Sequence, residues 1–186
     1  MVSEGRHSIS DYIVNSEDCR IIPNVHVPDV TLDDIIKFRK ICEGNECKNY
    51  DTSWTCPPHC GSNEECILKI KGYSYADVYI HEFCDVDFKN KEAMEKMMDG
   101  FRTECRNILT EMRKDGVDAM AFADGPCRYC GDNCSVKKKK PCPYPEMQVP
   151  SVSGYGIDMG KYIESIGESF TFSENKVTLY GIFLFR

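Results

Sequence analysis

The chain has 186 residues, 41% of them hydrophobic, enough for one compact domain with a real core and too few for two full ones. A formal net charge of −7 argues against a nucleic-acid binder, whose affinity rests on neutralising phosphates, so a redox partner protein or a small-molecule substrate is the expected partner. The opening stretch MVSEGRHSISDYIVN lacks a charged leader followed by an apolar run, and no segment approaches ~18 uninterrupted apolar residues, so the expectation is a cytoplasmic protein with no membrane contact.

In chain order, the first predicted helix is TLDDIIKFRKI, residues 31–41. Thr31 and Asp34 have the spacing of a capping box, Leu32, Ile35 and Ile36 share a face, and Gly44 lies just beyond. The following CEGNECKNYDTSWTCPPHCG is turn-rich and aperiodic, hence a loop held by something other than backbone ladders. Ser62 and Glu65 form a second capping box, opening a short helix with Ile67, Leu68 and Ile70 that stops at Gly72.

Residues 75–83, YADVYIHEF, alternate as a strand does. A long helix is expected from about residue 90 to 114, where Met94, Met97, Met98, Phe101, Cys105, Ile108, Leu109 and Met112 recur at helical spacing as core filling. VDAMAFA, residues 117–123, reads as a strand, so 75–123 has the pattern of a right-handed βαβ unit. A short helix capped by Asp158 and ended by Gly167 follows, then KVTLYGIFLF, a strand apolar on both faces and therefore interior to the sheet. The expected fold is α/β: a single compact domain over residues 1–186. It has a small mixed sheet containing a βαβ unit, with cysteine loops at about 42–60 and 127–146 held at one end.

Twelve cysteines without an export signal point to metal rather than to a disulfide scaffold. Eight form two groups: Cys42, Cys47, Cys56 and Cys60, then Cys127, Cys130, Cys134 and Cys142. The second group reads C-x2-C-x3-C-x7-C-P. Three thiols in eight residues and a fourth soon after suit a loop curled around a [4Fe-4S] cubane, each thiolate on a different iron; zinc sites more often use two separated CxxC-like pairs. Zinc stays open as the alternative. The lysines at 137–140 either offset cluster charge or form a solvated loop.

The first group, C-x4-C-x8-C-P-P-x-C, is looser. Its prolines are expected to hold the backbone extended beside Cys56, and Tyr50 and Trp54 either shield a metal or simply plug the loop. His59 and His26 are further candidates for a fourth ligand. Of the solitary cysteines, Cys66, Cys84 and Cys105 read as small buried hydrophobes and Cys19 as a free thiol or a packing residue.

Taken together, CEGNECKNYDTSWTCPP, GPCRYCGDNC, PCPYPE and PSVSGYGIDM resemble the DUF2284 family of predicted metal-binding proteins, over about residues 40–160. The resemblance implies metal binding, with Cys42, Cys47 and Cys56 matching the first motif and Cys127, Cys130, Cys134 and Cys142 the second. Cys60 lies outside the family pattern, and the chain departs from it at Pro143 and Val149, where arginines are expected, and at Ser153, where a glutamate is.

Three functions follow as expectations. With Cys60 as a ligand, one or two fully thiolate-bound [4Fe-4S] clusters would serve electron transfer or a partner enzyme. Without it, a three-cysteine site with an open iron would suit sulfur transfer or dehydration. A zinc-stabilised interaction module is the third. No nucleotide, phosphate or hydrolase motif is present.

Overall fold

The computed structural model describes residues 7–13, 18–44, 47–171 and 173–186. Along the chain come β1 (Cys19–Val25), α1 (Leu32–Glu43), α2 (Asn63–Lys71), β2 (Tyr75–Cys84), α3 (Lys91–Lys114), β3 (Ala119–Phe122), α4 (Met159–Ser165) and β4 (Lys176–Phe185). The four strands form one sheet in the order β1-β2-β4-β3.

The long apolar strand β4 is interior, as its two apolar faces require. Tyr180, Ile182 and Leu184 pack with Val78 and Ile80 of β2, Ile35 of α1, Ile70 of α2 and Ile163 of α4. Leu179, Phe183 and Phe185 turn to the other face, against Phe101, Cys105, Leu109 and Met112 of α3. The result is three layers, with three helices on one face of the sheet and α3 on the other. Each fully buried Phe, Leu or Ile contributes roughly 1.5–3 kcal/mol. At Gly181, a side-chain carbon would lie 2.8 Å from Cys105 Sγ, so glycine there lets α3 settle close onto the sheet.

Every strand neighbour is antiparallel, β1 with β2, β2 with β4 and β3 with β4. The βαβ unit is therefore present in split form: β2 and β3 both oppose β4 and run parallel to each other on either side of it. The expected mixed sheet reduces to one parallel bridge among the described residues, between Ala123 and Ser151. Local periodicity specifies strands, not neighbours, and the most apolar strand takes the most buried place.

Strand β1 was not expected, because Pro23 interrupts it. It survives as an edge strand with an irregular register between Ile22 and Val25 and a left-handed Asn24 (φ 57°). Buried Asp77 of β2 secures it, accepting hydrogen bonds from Asn24 N–H (2.7 Å), Ile9 N–H (2.9 Å) and Ser8 hydroxyl (2.8 Å).

Both capping boxes form: Thr31 with Asp34 opens α1, and Ser62 with Glu65 opens α2. These two helices frame the first cysteine loop, and the second loop leaves the carboxyl end of β3.

Candidate metal centre

The first loop is assembled by the end of α1 and the start of α2. Cys42 lies on the last turn of α1 and is buried, as are Cys56 and Cys60, while Cys47 is half-buried. The C-P-P-H-C segment does not run extended. It turns, with His59 N–H and Cys60 N–H both donating to Cys56 carbonyl at 2.9 and 3.1 Å, across a cis Pro57–Pro58 peptide. Closing that turn brings Cys60 back beside the other three thiols. Burial, then the neighbouring Cys47 and Cys60 thiols, push Cys42 up to about 11; burial, then Cys47, Cys60 and Cys42, push Cys56 up to about 12.

Cys60 also faces a second thiol. Arg39 Nη2 of α1 lies 3.3 Å from Cys60 Sγ, 3.3 Å from Cys66 Sγ and 3.5 Å from Gly154 carbonyl. The hydrogen bond from Cys66 and, after the opposing burial, the Arg39 guanidinium hold Cys60 below an ordinary thiol; Cys66, donating to it and buried, is pushed up. Cys66 is thus packed, as expected of a solitary cysteine, but it sits within the first group's surroundings rather than apart from them.

The second loop docks on the first. Cys127 N–H donates to the buried Thr55 Oγ1 at 2.9 Å, and Trp54 Nε1 donates to Ser135 Oγ at 3.0 Å. Cys127, Cys130, Cys134 and Cys142 line one narrow cavity together with Ser53, Trp54, Thr55, Tyr129, Tyr144 and Gln148. All four are half-buried, so this group is nearer solvent than the first. Burial raises Cys130, followed by the thiols of Cys134, Cys142 and Cys127, while Arg106 of α3 works the other way. Arg106 is 5% exposed, stacks 5.2 Å from Tyr129 and donates to Met147 carbonyl at 2.9 Å.

Cys42, Cys47, Cys56 and Cys60 are thus near enough to perturb one another's ionisation, and Cys127, Cys130, Cys134 and Cys142 share one cavity; an all-sulfur donor set is of the type that soft metals and iron-sulfur clusters take. The loops' own pairing through Thr55 and Trp54 keeps the groups adjacent. Among the described residues, no three His, Cys, Asp or Glu side chains are drawn together closely enough to hold a metal ion.

Other expected residues lie elsewhere. His59 pairs with Asp51 (2.5 Å) and packs edge-on against Trp54; His26 contacts Ser165 (3.1 Å) beside α4. Lys137, Lys138, Lys139 and Lys140 are exposed, Lys137 donating to Asp132 carbonyl at 3.0 Å, which is the solvated-loop reading. Val149 is fully buried, Pro143 is exposed, and Ser153 shares a hydrogen bond with Ser151 (2.9 Å). Cys105 is buried on α3 as expected, Cys19 meets Tyr79 hydroxyl at 3.1 Å, and Cys84, expected to be buried, is exposed at the end of β2.

Sequence reasoning missed Arg39, Arg106 and Thr55. The signal was available for Arg39, which lies four residues after Ile35 and so on the inward face of α1. A charge placed on an apolar helix face calls for a buried partner, and here the partners are thiols.

The model of a family described as predicted metal-binding protein (DUF2284) matches residues 26–185. No curated protein and no solved structure matches the chain. No helix among the described residues is long and apolar enough to cross a membrane.

Proposed function

Because the chain belongs to the DUF2284 family of predicted metal-binding proteins, we propose that its cysteine groups each hold a [4Fe-4S] cluster and that it passes electrons to or from a partner protein in the cytoplasm. The observation that carries this reading is the lining of one cavity by Cys127, Cys130, Cys134 and Cys142, roofed by the Ser53, Trp54 and Thr55 segment of the other cysteine loop. When bound, such clusters supply one-electron couples and no leaving-group chemistry of their own.

The chain's own residues do the rest. Cys42, Cys47, Cys56 and Cys60 hold the inner group, and Cys127, Cys130, Cys134 and Cys142 the outer one. Thr55, next to Cys56 and hydrogen-bonded to Cys127 N–H, keeps the groups adjacent, which suits transfer between them. Arg39 and Arg106 supply positive charge against the thiolates from α1 and α3, a role the exposed lysines do not fill.

The test is iron, zinc and acid-labile sulfide content of protein purified without oxygen, with its visible spectrum. About eight irons and eight sulfides per chain, with a band that bleaches on reduction, is the expected result. Zinc without sulfide would instead mean a structural metal module.

A second reading is favoured by one contact set: Cys60 Sγ is engaged by Arg39, by Cys66 and, at 3.5 Å, by Gly154 carbonyl. If those contacts hold Cys60 back from metal, the first site has three ligands and an open iron, suited to sulfur transfer or dehydration. Cys60→Ala separates the two: unchanged iron content supports the open site, and loss of about half supports Cys60 as a ligand.

A further inference from the structure

The basic residues of this acidic chain gather where the second cysteine loop meets solvent. Five of the 23 lysines and arginines lie between positions 128 and 140 against one acidic residue, Asp132, in a chain of net charge −7. The turn that carries them is pinned from within: Val136 is buried and Ser135 is held by Trp54. Lys137, Lys138, Lys139 and Lys140 consequently stand out into solvent, with Lys139 in the left-handed conformation (φ 52°).

Between this turn and the first loop lies a polar cleft of about 170 Å³, lined by Lys48, Arg128 and Lys137 together with Asn49, Ser53 and Asp132, and with Cys127 in its wall. Lys137 is already drawn toward Asp132, whose carboxylate is 4.0 Å away, which leaves Lys48 and Arg128 as cations facing the cleft with no ion-pair partner among the described residues. The cleft is the size of a side chain rather than of a nucleotide. Beside it stand two exposed aromatics, Tyr129 and Tyr144, packed edge to face at 5.3 Å and lining the cavity of the four outer thiols.

The geometry points to a docking surface for an acidic redox protein. An Asp or Glu side chain of the partner enters the cleft against Lys48 and Arg128, neighbouring carboxylates face Lys138, Lys139 and Lys140, and the tyrosine pair supplies the apolar centre of the contact. Such a partner sits against the wall of the outer thiol cavity, where an electron has to leave or enter. Complementary charge of this kind steers association and sets orientation more than it adds affinity. This inference rests on the electron-transfer reading above.

The test uses two small oxidants of opposite charge on the anaerobically purified, dithionite-reduced protein: trioxalatocobaltate(III), a trianion, and hexaamminecobalt(III), a trication. In each reaction one electron leaves the protein and reduces cobalt(III) to cobalt(II), followed by stopped-flow absorbance. The trianion is expected to react faster at low salt, with its advantage shrinking as the screening length falls to about 8 Å at physiological ionic strength. The variant K137Q/K138Q/K139Q/K140Q should slow the trianion about tenfold, while K71Q/K89Q/K91Q/K96Q, the same charge change elsewhere, should leave it within about twofold.

The double variant K48Q/R128Q, which alters the cleft alone, should shift the rate in the same direction as the first quadruple variant. A faster trication in the unmodified protein, as the overall charge by itself predicts, would overturn the docking surface, and so would equal losses in the two quadruple variants. A protein that does not bleach with dithionite overturns the electron-transfer reading itself, and the docking surface with it.

Discussion

Replacing Gly156 with alanine is expected to loosen the first cysteine loop from its support. Gly156 ends the turn after Ser153, with its N–H on Ser153 carbonyl at 3.0 Å, and its φ is +75°. An added side-chain carbon would lie 2.3 Å from Ile35 Cγ1 and 2.9 Å from the Ile35 Cα and backbone nitrogen, so part of the obstacle is the backbone of α1 and cannot swing aside. Two costs combine: left-handed strain of roughly 1–2 kcal/mol and overpacking of roughly 1–3 kcal/mol.

Gly116 separates them. Its φ is +81° but nothing lies within 4 Å of an added carbon, so Gly116→Ala carries the strain alone. At about 3 °C per kcal/mol for a chain of this length, Gly116→Ala should lower Tm by roughly 3–6 °C and Gly156→Ala by roughly 6–15 °C. The assay is thermal unfolding followed by circular dichroism at matched metal content. Since α1 carries Arg39 and Cys42, the Gly156 variant should also lose metal from the first group at lower temperature. Equal Tm shifts in the two variants would refute the argument, because they would mean that the 153–156 turn moves away from α1 without cost.

Four further outcomes are expected. Metal loading of the first group should weaken as pH falls, since Cys42 and Cys56 stand at about 11 and about 12, above the ordinary 9.0, and are protonated at neutral pH until metal displaces the protons. In the metal-free protein the same raised values contribute stability that is present below about pH 9 and lost as pH rises through 11 to 12, which urea unfolding across that range will read. Thr55→Val strands the Cys127 N–H at a cost of about 1–3 kcal/mol and should release metal from the outer group first, with Thr55→Ser restoring it; metal content of both variants decides. Asp77→Asn weakens three hydrogen bonds to a buried carboxylate and should cost about 2–3 kcal/mol, seen as faster amide exchange at Ile9 and Asn24 while α3 stays protected.

Much of this architecture was legible before any coordinates. Capping boxes at Thr31 and Ser62, the alternation of Tyr75–Cys84 and the apolar stripe of Lys91–Lys114 are local patterns, and local patterns are what a sequence displays. The two cysteine groups are visible for the same reason, because the spacing of each is written along a single loop. What could not be read was pairing across distance. Nothing near KVTLYGIFLF says that it separates the two strands flanking α3, and Pro23 hides β1 because its support, Asp77, lies more than fifty residues away. Arg39 on Cys60 and Thr55 on Cys127 belong to the same class of long-range contact. The lysine run is conspicuous as local charge, whereas half-buried Arg39 and buried Arg106 stand out only through the distant groups they meet.

The place of β4 in the sheet bears on how the protein is made. All twelve cysteines are synthesised before Lys176, yet β2 pairs along its length with a partner about a hundred residues later, and β3 pairs with the same strand. Contacts of such sequence separation form late. While the ribosome finishes the last strand, the thiols that end up beneath α1 and α2 have no sheet to bury them, and metal can reach them freely. In the finished molecule Cys42, Cys56 and Cys60 are buried and Cys47 is half-buried, so a metal held by the inner group should exchange more slowly than one held by the outer group, whose four cysteines are all half-buried.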